Sequence, residues 1–324
     1  MHNILEVRHL SAGFSARKSE VKAVDDVSLL VPEGKIVGIV GESGCGKSMT
    51  ARAVMGLIRY PGRVISGSVL LDGRELVGMP EKEKRALRGS KMSMIFQEPM
   101  TSLNPVMKVG RQVEEAIRIH EKVSREEAAH RSVEILTSVG VPEAEKRCLC
   151  YPHQLSGGLR QRVMIAMAMI LDPRLLIADE PTTALDVTVE AQILQLMRTL
   201  SSGGTGILLI SHDLGVIAQV CDHVYVMYAG RIVESAETAE LFDRPLHPYT
   251  RGLLNSVRSL RGGGDVLDTI PGVVPNLMRM PAGCGFSPRC LECRDECRLN
   301  APRLIDTGRG HMSRCFLAEG EAAE

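Results

Sequence analysis

The pattern of apolar and polar positions predicts strands at the start of the chain. Apolar and polar residues alternate through residues 4–10 and 21–31, which is typical of antiparallel strands with one buried face. The Pro-Glu-Gly sequence at 32–34 predicts a turn. The apolar, β-branched run at 35–40 ends at a glycine-rich stretch, so it predicts a buried strand that leads into a helix over 48–58.

The middle of the chain, from about residue 99 to 155, predicts a helical subdomain. Residues 109–121 carry apolar side chains at helical spacing. Ser124 and Glu127 have the spacing of a capping box, which indicates the start of a helix over 128–139. We therefore expect helices here rather than a continuation of the sheet.

The later part of the chain predicts a return to alternating strands and helices. Strand patterns occur at 175–178 and 206–210, with a helix pattern over 189–200 between them, so the α/β core resumes after the helical insertion. After about residue 261 the periodicity fades. Three glycines at 262–264 predict a linker, followed by a segment rich in proline, cysteine and arginine.

Size and charge narrow the class of protein. The 324 residues exceed the usual size of one domain, and a 44% hydrophobic content supplies a full core. Lysine plus arginine equals aspartate plus glutamate at 39 each, which removes the basic excess of nucleic-acid-binding proteins. The longest apolar run, 163–171, is far shorter than the roughly 20 residues that span a bilayer. The start of the chain lacks the apolar core of a signal peptide, so we expect a cytoplasmic protein with at most a peripheral membrane role.

A glycine-rich loop at 41–48 carries the strongest chemical signal. Its sequence, Gly-Glu-Ser-Gly-Cys-Gly-Lys-Ser, satisfies G-x-x-x-x-G-K-[ST] between a predicted strand and a predicted helix. Such a loop turns backbone N–H groups and a helix N-terminus toward phosphates, while its lysine contacts the outer phosphates and its serine ligates Mg²⁺. An accidental match would occur in on the order of one chain in a hundred. The candidate nucleotide-binding residues are Gly41, Glu42, Ser43, Gly44, Cys45, Gly46, Lys47 and Ser48.

Two carboxylates end a predicted strand. Asp179 and Glu180 follow an apolar run, and the carboxyl ends of such strands are where α/β proteins bind ligands. Asp179 is a candidate Mg²⁺ partner, and Glu180 a candidate base for the water that attacks a γ-phosphate. The alternative is a helix cap where the strand ends.

Ser156, Gly157 and Gly158 form a second predicted helix N-terminus that is suited to binding phosphate. They lie just before an apolar helix pattern over 163–171. With the two preceding motifs, this set resembles the ATP-binding-cassette (ABC) family, whose signature is usually Leu-Ser-Gly-Gly-Gln. Leu159 replaces the last residue of that signature. The resemblance implies that the serine and glycines contact the γ-phosphate of ATP held by a partner domain.

Further positions match the same family in order. Gln97 matches the Q-loop, residues 184–186 (Ala-Leu-Asp) the D-loop with Asp186, and His212 the switch histidine. The resemblance implies that Gln97 senses Mg²⁺ and water, that His212 contacts the γ-phosphate and that Phe14 stacks on adenine. Mg²⁺ would be held by Ser48, Gln97 and Asp179, with Glu180 and His212 catalytic. Each position alone also fits a structural side chain, and Phe14 a core residue.

Sequences near the end narrow the resemblance to importers of the peptide and nickel class. They are His-Pro-Tyr-Thr at 247–250, Ile-Pro-Gly-Val-Val-Pro at 270–275 and Gly-Cys-Gly-Phe at 283–286. The chain is similar to the D-type ATPase subunits of dipeptide and oligopeptide permeases. This implies work with a second ABC ATPase as a heterodimer, two membrane permeases and an extracytoplasmic solute-binding protein, on the cytoplasmic side of the inner membrane and without nucleic acid.

Five cysteines crowd the final segment: Cys284, Cys290, Cys293, Cys297 and Cys315. In a reducing compartment such clustering favours a metal site over disulfides, and spacing alone permits structural zinc (Zn²⁺) or an iron–sulfur cluster. The resemblance favours a 4Fe-4S cluster on Cys284, Cys290, Cys297 and Cys315, leaving Cys293 spare. Free thiols on a loop are the alternative.

Taken together, the sequence predicts an α/β protein with an ABC-type P-loop NTPase core, an antiparallel β region, a helical subdomain and a small Cys-rich C-terminal module. We expect residues 1–255 to form the nucleotide-binding domain, with the helical subdomain at about 99–160, and residues 256–324 to form the module. The expected function is ATP hydrolysis that energises import of di- or oligopeptides. Two such domains would close around two ATPs, and residues 98–109 would contact the permeases.

Three alternatives remain at this point. One is an importer ATPase of the same class for nickel, glutathione or an opine. Another is a soluble ABC ATPase acting on ribosomes or DNA, although such proteins usually carry two cassettes or a long coiled coil. The third is a regulatory, hydrolysis-poor half of an asymmetric pair, against which Lys47, Glu180 and His212 argue.

Overall fold

The computed structural model of the protein describes residues 2–16, 19–98, 102–183, 185–262, 270–308 and 310–321. Its strands are β1 (Asn3–Ala16), β2 (Ser19–Pro32), β3 (Ile36–Val40), β4 (Gly62–Leu71), β5 (Arg74–Glu75), β6 (Met92–Ile95), β7 (Leu175–Asp179), β8 (Gly206–Ser211), β9 (His223–Tyr228), β10 (Arg231–Glu237), β11 (Ile305–Asp306) and β12 (Met312–Ser313). Its helices are α1 (Lys47–Val54), α2 (Glu81–Leu87), α3 (Val109–His120), α4 (Arg125–Ser138), α5 (Ala144–Cys148), α6 (Gly157–Met169), α7 (Val187–Ser202), α8 (Leu214–Val220), α9 (Thr238–Asp243), α10 (Pro248–Gly262), α11 (Asp295–Leu299) and α12 (Phe316–Glu321).

These elements form two compact units. The first unit comprises Met1–Ile4, Pro32–Lys35 and Gly78–Leu208, and the second comprises Leu5–Val31, Ile36–Val77 and Leu209–Glu324. Within the described ranges, no helix is long and apolar enough to cross a bilayer.

The first unit joins a parallel strand pair to a group of helices. β6 and β7 run parallel, with Met92 beside Leu175 and Ile95 beside Ala178, and both strands are buried. Helices α3, α4, α5 and α6 pack on one another. The helical insertion expected in the middle of the chain is therefore confirmed.

Side chains cap the helices of this unit as their local sequence suggests. The Ser124 hydroxyl accepts from the Glu127 N–H at 3.0 Å, so α4 begins directly after Ser124 and before the predicted residue 128. The cap fixes the start because it satisfies an N–H group that has no partner inside the helix.

The second unit contains an antiparallel sheet in the order β2-β1-β4-β5, with Leu5 opposite Leu71. The alternating pattern predicted its first two strands correctly, although both extend beyond the predicted bounds. A further set of strands places β3 parallel to β9, followed by β10, β12 and β11 in antiparallel pairs. β3 is buried along its whole length, as the apolar run predicted.

Helix α1 and the Cys-rich segment also differ from what the sequence pattern suggests. Helix α1 ends at Val54 rather than at residue 58, because Gly56 has a φ of 63°, which an α-helix does not accommodate. The Cys-rich segment contributes regular structure: its short strand β12 pairs with β10, with Ser313 opposite Glu234. Strands of two residues are too short to leave a periodic pattern in the sequence.

Candidate nucleotide-binding site

The phosphate-loop sequence connects β3 to α1 within the second unit. Its backbone is packed too closely for side chains at two glycines: a Cβ at Gly41 would lie 2.1 Å from the Met227 carbonyl oxygen, and one at Gly46 2.5 Å from that of Ala23. Gly46 also has a φ of 111°, which favours glycine. Ser43 and Gly44 between them are exposed. The loop backbone is therefore closely packed at Gly41 and Gly46 and exposed at Ser43 and Gly44.

Lys47 lies over this loop. Its Nζ donates to the carbonyl oxygens of Gly41 at 2.6 Å and Glu42 at 3.1 Å, and 5% of the residue is exposed. Ser48 follows it in the first turn of α1 and is partly buried. The ammonium group is therefore held against the loop backbone, a position that suits attraction of an anion to the loop.

Cys45 is a packing residue of the loop. It is 1% exposed, and its burial raises the pKa of the thiol despite the charge of nearby Lys47. A protonated, enclosed thiol is a poor nucleophile.

Glu42 is anchored from outside the loop, which no local sequence pattern predicted. Its N–H donates to the Tyr249 hydroxyl at 2.8 Å, and its carboxylate accepts two hydrogen bonds from Arg289 at 2.6 and 3.0 Å. Of the two residues that anchor Glu42, the sequence patterns had marked only Tyr249, as part of the His-Pro-Tyr-Thr pattern.

Gln97 and Glu180 come together in the first unit. Ile95 lies beside Ala178 in the parallel pair, and Gln97 and Glu180 each come two residues after these partners, so they lie at one sheet edge. The Gln97 Nε2 donates to the Glu180 Oε2 at 3.0 Å, and the Thr183 Oγ1 donates to the same oxygen at 3.1 Å. Thr183 was not predicted from the sequence.

Asp179 and Glu180 differ in their surroundings although they are adjacent. Asp179 is the last residue of β7 and is 3% exposed. Glu180 has a φ of 49°, a left-handed conformation that non-glycine residues rarely adopt and that is found at functional sites. The turn directs the glutamate away from the strand and toward Gln97.

The predicted signature forms the start of α6. The Ser156 hydroxyl accepts from the Leu159 N–H at 3.4 Å, and Ser156 and Gly157 are exposed. A Cβ at Gly157 would meet no atom within 4 Å, whereas one at Gly158 would touch Val189 at 3.2 Å. The helix start is therefore open on the side of Gly157.

A buried amide, missed by the sequence patterns, links the signature helix to the segment that carries Glu180. The Gln161 Nε2 donates to the carbonyl oxygen of Pro181, the residue after Glu180, at 2.6 Å. Helix α6 and the turn that carries Glu180 are thus joined by a short hydrogen bond in a buried location.

The remaining predicted positions lie on β1 or directly beside β8 and α7. His212 is exposed directly after β8 in the second unit, and Asp213 caps α8 by accepting from the Gly215 N–H at 2.6 Å. Asp186 caps α7 by accepting from the Val189 N–H at 2.9 Å, whereas its predicted D-loop neighbour Ala184 lies outside the described residues. Phe14 lies inside β1 opposite Gly62 rather than after the strand, with its ring partly exposed.

The Cys-rich segment gathers four thiols around one cavity. Cys284, Cys290, Cys297 and Cys315 line a cavity of about 10 Å³, and Cys293 is not among its lining residues. Burial raises the pKa of Cys290 to about 11 and also raises those of Cys284 and Cys315. In the part of the chain that the structure describes, however, no group of three or more His, Cys, Asp or Glu side chains is arranged to hold a metal ion. The predicted metal is thus not supported by the arrangement of these side chains.

Comparisons with known proteins agree with the loop and strand geometry. The family described as ABC transporter matches residues 24–183, and the one described as oligopeptide/dipeptide transporter, C-terminal region, matches residues 233–297. The oligopeptide transport ATP-binding protein AppD of Bacillus subtilis is 48% identical over 100% of this chain and 99% of its own length. The oligopeptide transport ATP-binding protein OppD of Salmonella typhimurium is 51% identical over 97% of this chain and 93% of its own length.

A solved structure shows the same fold. The dimeric structure of MJ0796, a bacterial ABC transporter cassette, superposes with a TM-score of 0.66 at 26% identity and covers 72% of this chain and 98% of that chain. The α/β fold class predicted from the sequence is therefore confirmed. From whole-chain identity near one half and the match of both family regions, this chain belongs to the ABC transporter ATPases that carry the oligopeptide/dipeptide-transporter C-terminal region.

Proposed function

We propose that this ABC ATPase energises the import of di- or oligopeptides through a membrane transporter. The observation that carries the proposal is the similarity over the full chain to oligopeptide transport ATP-binding proteins, including residues 233–297 outside the ATPase region. Nickel, glutathione and opines are alternative solutes of the same transporter class. Because fold alone does not select a solute, transport has to be measured.

Each motif has a proposed role in hydrolysis. Residues 41–48 bind the ATP phosphates, and Lys47 neutralises their charge. Ser48, Gln97 and Asp179 are the proposed Mg²⁺ ligands, and the ion, when bound, would supply positive charge for the phosphates of ATP. Glu180 orients and deprotonates the attacking water, and its hydrogen bond from Gln97 supports this role because it fixes the carboxylate.

His212 and Phe14 complete the proposed set. His212 contacts the γ-phosphate, which its exposure after a buried strand supports. Phe14 stacks on adenine, and its partly exposed ring on a strand supports this role.

The signature is proposed to act on ATP bound to another subunit. Ser156 and Gly157 are exposed and nothing crowds Gly157, which suits approach by a ligand from outside the chain. The similar cassette MJ0796 is described as dimeric, and also as bound to ADP and phosphate in a post-hydrolysis state. Asp186 would lie at the same subunit contact as part of the D-loop.

The proposed assembly contains this chain, a second ABC ATPase, two permeases and an extracytoplasmic solute-binding protein. The chain would lie on the cytoplasmic face of the inner membrane, with residues 1–255 as the nucleotide-binding domain and 256–324 as a C-terminal module. Residues 98–109 would contact the permeases, and the 81% exposed Val106 supports this. Residues 99–101 of that segment lie outside the described residues.

A metal in the module is a further part of the proposal. Support comes from the four cysteines that line one cavity, and a cation bound there would displace the proton of each thiol that it ligates. A 4Fe-4S cluster is proposed, with zinc as the alternative. After anaerobic purification, Cys290→Ser would lose iron and visible absorbance, whereas the matched Cys293→Ser would retain both. A colourless, iron-free wild-type protein would overturn the cluster.

Reconstitution tests the transport function. The complete complex, purified through a tag on this chain, is placed in vesicles with its solute-binding protein, and uptake and ATP hydrolysis are measured with a dipeptide, an oligopeptide, nickel, glutathione and an opine. We expect peptides to stimulate both, and Glu180→Gln to abolish the stimulation. Stimulation by another solute without any response to peptides would overturn the peptide assignment while leaving the ATPase assignment intact.

A further inference from the structure

The phosphate loop is tied to the Cys-rich segment through one residue of the loop. Glu42, its second residue, is held at three points: its N–H by Tyr249, its carbonyl oxygen by Lys47 and its carboxylate by Arg289. Tyr249 lies in α10, and Arg289 lies between Cys284 and Cys290. These contacts fall within the second unit, so one compact body contains both the loop and its anchor.

Arg289 is itself locked in place. Its Nε donates to the Pro271 carbonyl oxygen at 2.8 Å and an Nη to that of Ile270 at 3.3 Å, in addition to the two bonds to Glu42. The guanidinium also lies 5.8 Å from the ring centre of Tyr228 and 6.0 Å from that of Phe286. Its side chain is 4% exposed. The Arg289 guanidinium is therefore held in one position, and the Glu42 carboxylate is held with it through their two hydrogen bonds.

The chemistry of the pair requires arginine. Two parallel N–H groups meet two carboxylate oxygens, a planar arrangement that a lysine ammonium cannot reproduce. The hydrogen bonds to Glu42 are the largest cause of the raised pKa of Arg289, so the cation is retained at all ordinary pH values. Because the Arg289 side chain is buried and that of Glu42 is partly exposed, loss of the glutamate would leave a buried cation uncompensated, so the pair fixes the geometry of both residues.

Aromatic packing connects the anchor to the Cys-rich segment. The rings of Tyr228, Tyr249 and Phe286 lie with centres 4.7 to 5.4 Å apart. Tyr249, which holds the Glu42 N–H, thus packs against the same Phe286 that lies beside Arg289. Both groups that fix Glu42 from outside the loop therefore belong to one packed cluster.

We propose that Arg289 is a positioning residue for the phosphate loop: by fixing the Glu42 carboxylate it holds the loop in its phosphate-receiving form, so that the C-terminal segment sets the nucleotide affinity of this ATPase. The proposal extends beyond the proposed import function and does not depend on the transported solute. It assigns to residues 284–290 an effect on ATP binding at a loop more than two hundred residues earlier in the chain.

A purely structural role would give a different result. If Arg289 merely held the C-terminal segment in place, its replacement would lower the melting temperature and leave the affinity for nucleotide unchanged. A positioning role changes the affinity for MgATP and MgADP, because both depend on the loop. The turnover number would change little, since Glu180 and its hydrogen-bond partners belong to the other unit.

The test uses the full chain with Arg289→Gln and Arg289→Lys. The matched control is Arg251→Lys, which alters the Arg251–Glu292 pair, an exposed ion pair of the same unit with a distance of 3.1 Å. MgATP and MgADP binding are measured on the purified chain, and KM and kcat on the assembled complex. We expect Arg289→Gln to raise the Kd and the KM for ATP about tenfold with kcat within about twofold, Arg289→Lys to give a smaller rise, and the control to match wild type.

A double-mutant cycle with Glu42→Gln completes the test. If the pair acts as a unit, the effects of Glu42→Gln and Arg289→Gln on Kd will be far from additive. An unchanged Kd in both Arg289 variants, whatever their melting temperatures, would overturn the proposal. If Arg289→Gln does not fold, Arg289→Lys decides: a raised Kd supports the positioning role and a wild-type Kd excludes it.

Discussion

The phosphate loop and the signature helix start are built in opposite ways. In the loop, Gly41 and Gly46 are pressed against neighbouring backbone, and Lys47 and Glu42 are each held by several hydrogen bonds. At the signature, Ser156 makes a single long capping bond among those described, and Gly157 faces open space.

The difference indicates which part of the proposed ATPase site, the phosphate loop or the signature, is fully formed within the chain. A loop whose polar groups are fixed in advance binds a ligand without the cost of ordering it. A helix start that is exposed and uncrowded is suited to contact something that the chain does not supply. Substitutions at Glu180, Lys47 and His311 are predicted below from the largest expected effect to the smallest, and a substitution at Gly157 then tests the difference between the two sites directly.

The largest effect is expected at Glu180. Replacement by Gln removes the charge but retains the shape and the hydrogen-bonding position next to Gln97 and Thr183. We expect kcat of the assembled complex to fall about 10²- to 10⁴-fold, because a general base contributes about that much. Binding of ATP should persist. Steady-state hydrolysis together with nucleotide binding checks this, and an unchanged kcat would show that Glu180 is not the base.

Lys47→Met should affect the loop itself. The substitution removes the ammonium that donates to Gly41 and Glu42 and that is proposed to meet the phosphates. We expect the Kd for ATP to rise about a hundredfold through the loss of a charge-assisted contact. Titration of the purified chain with a fluorescent ATP analogue measures it. Wild-type affinity in a folded Lys47→Met chain would contradict the loop assignment.

The smallest effect concerns the anchor of α10. Glu234 is buried and accepts from the N–H groups of Leu246 and His247, just before α10, and from His311. Burial lowers the pKa of His311, but its hydrogen bonds and charge interactions with Glu234 and Glu240 outweigh burial and raise the pKa overall. The protonated histidine thus stabilises the fold at low pH, and this contribution is lost as the pH rises through the raised pKa.

We therefore expect His311→Gln to lower the melting temperature by about 2–4 °C near pH 6, with a smaller difference near pH 9. Thermal unfolding of both proteins across this range checks the sign. A difference that grows with pH would contradict the assignment of charge to His311.

Much of the fold could be predicted from the sequence, and so could the parts of the site that are set by local patterns. Gly41–Ser48 and Ser156–Gly158 are local patterns, so their positions at a strand end and at helix starts follow from neighbouring residues. The meeting of Gln97 and Glu180 follows from one further step, since parallel strands end at the same sheet edge.

The rest depends on contacts between distant residues. Arg289 meets Glu42 across 247 positions, and an arginine in a Cys-rich segment has no periodicity that reveals its partner. The strands β11 and β12 have two residues each and become visible through their pairing, β12 with β10 and β11 with β12. The alternating pattern predicted the first strand only as far as residue 10, so Phe14 fell after its predicted end. In the structure, β1 continues through shifts in register to Ala16 and contains Phe14.

Gly157 provides the most direct test of the central claim, that the loop is completed within the chain while the signature acts on nucleotide outside it. A Cβ at Gly157 would meet no atom within 4 Å, so we expect Gly157→Leu to fold and to bind ATP with wild-type affinity. In the assembled complex, we expect hydrolysis to fall about a hundredfold, with Gly157→Ala intermediate. Full hydrolysis by the Gly157→Leu complex would contradict the account.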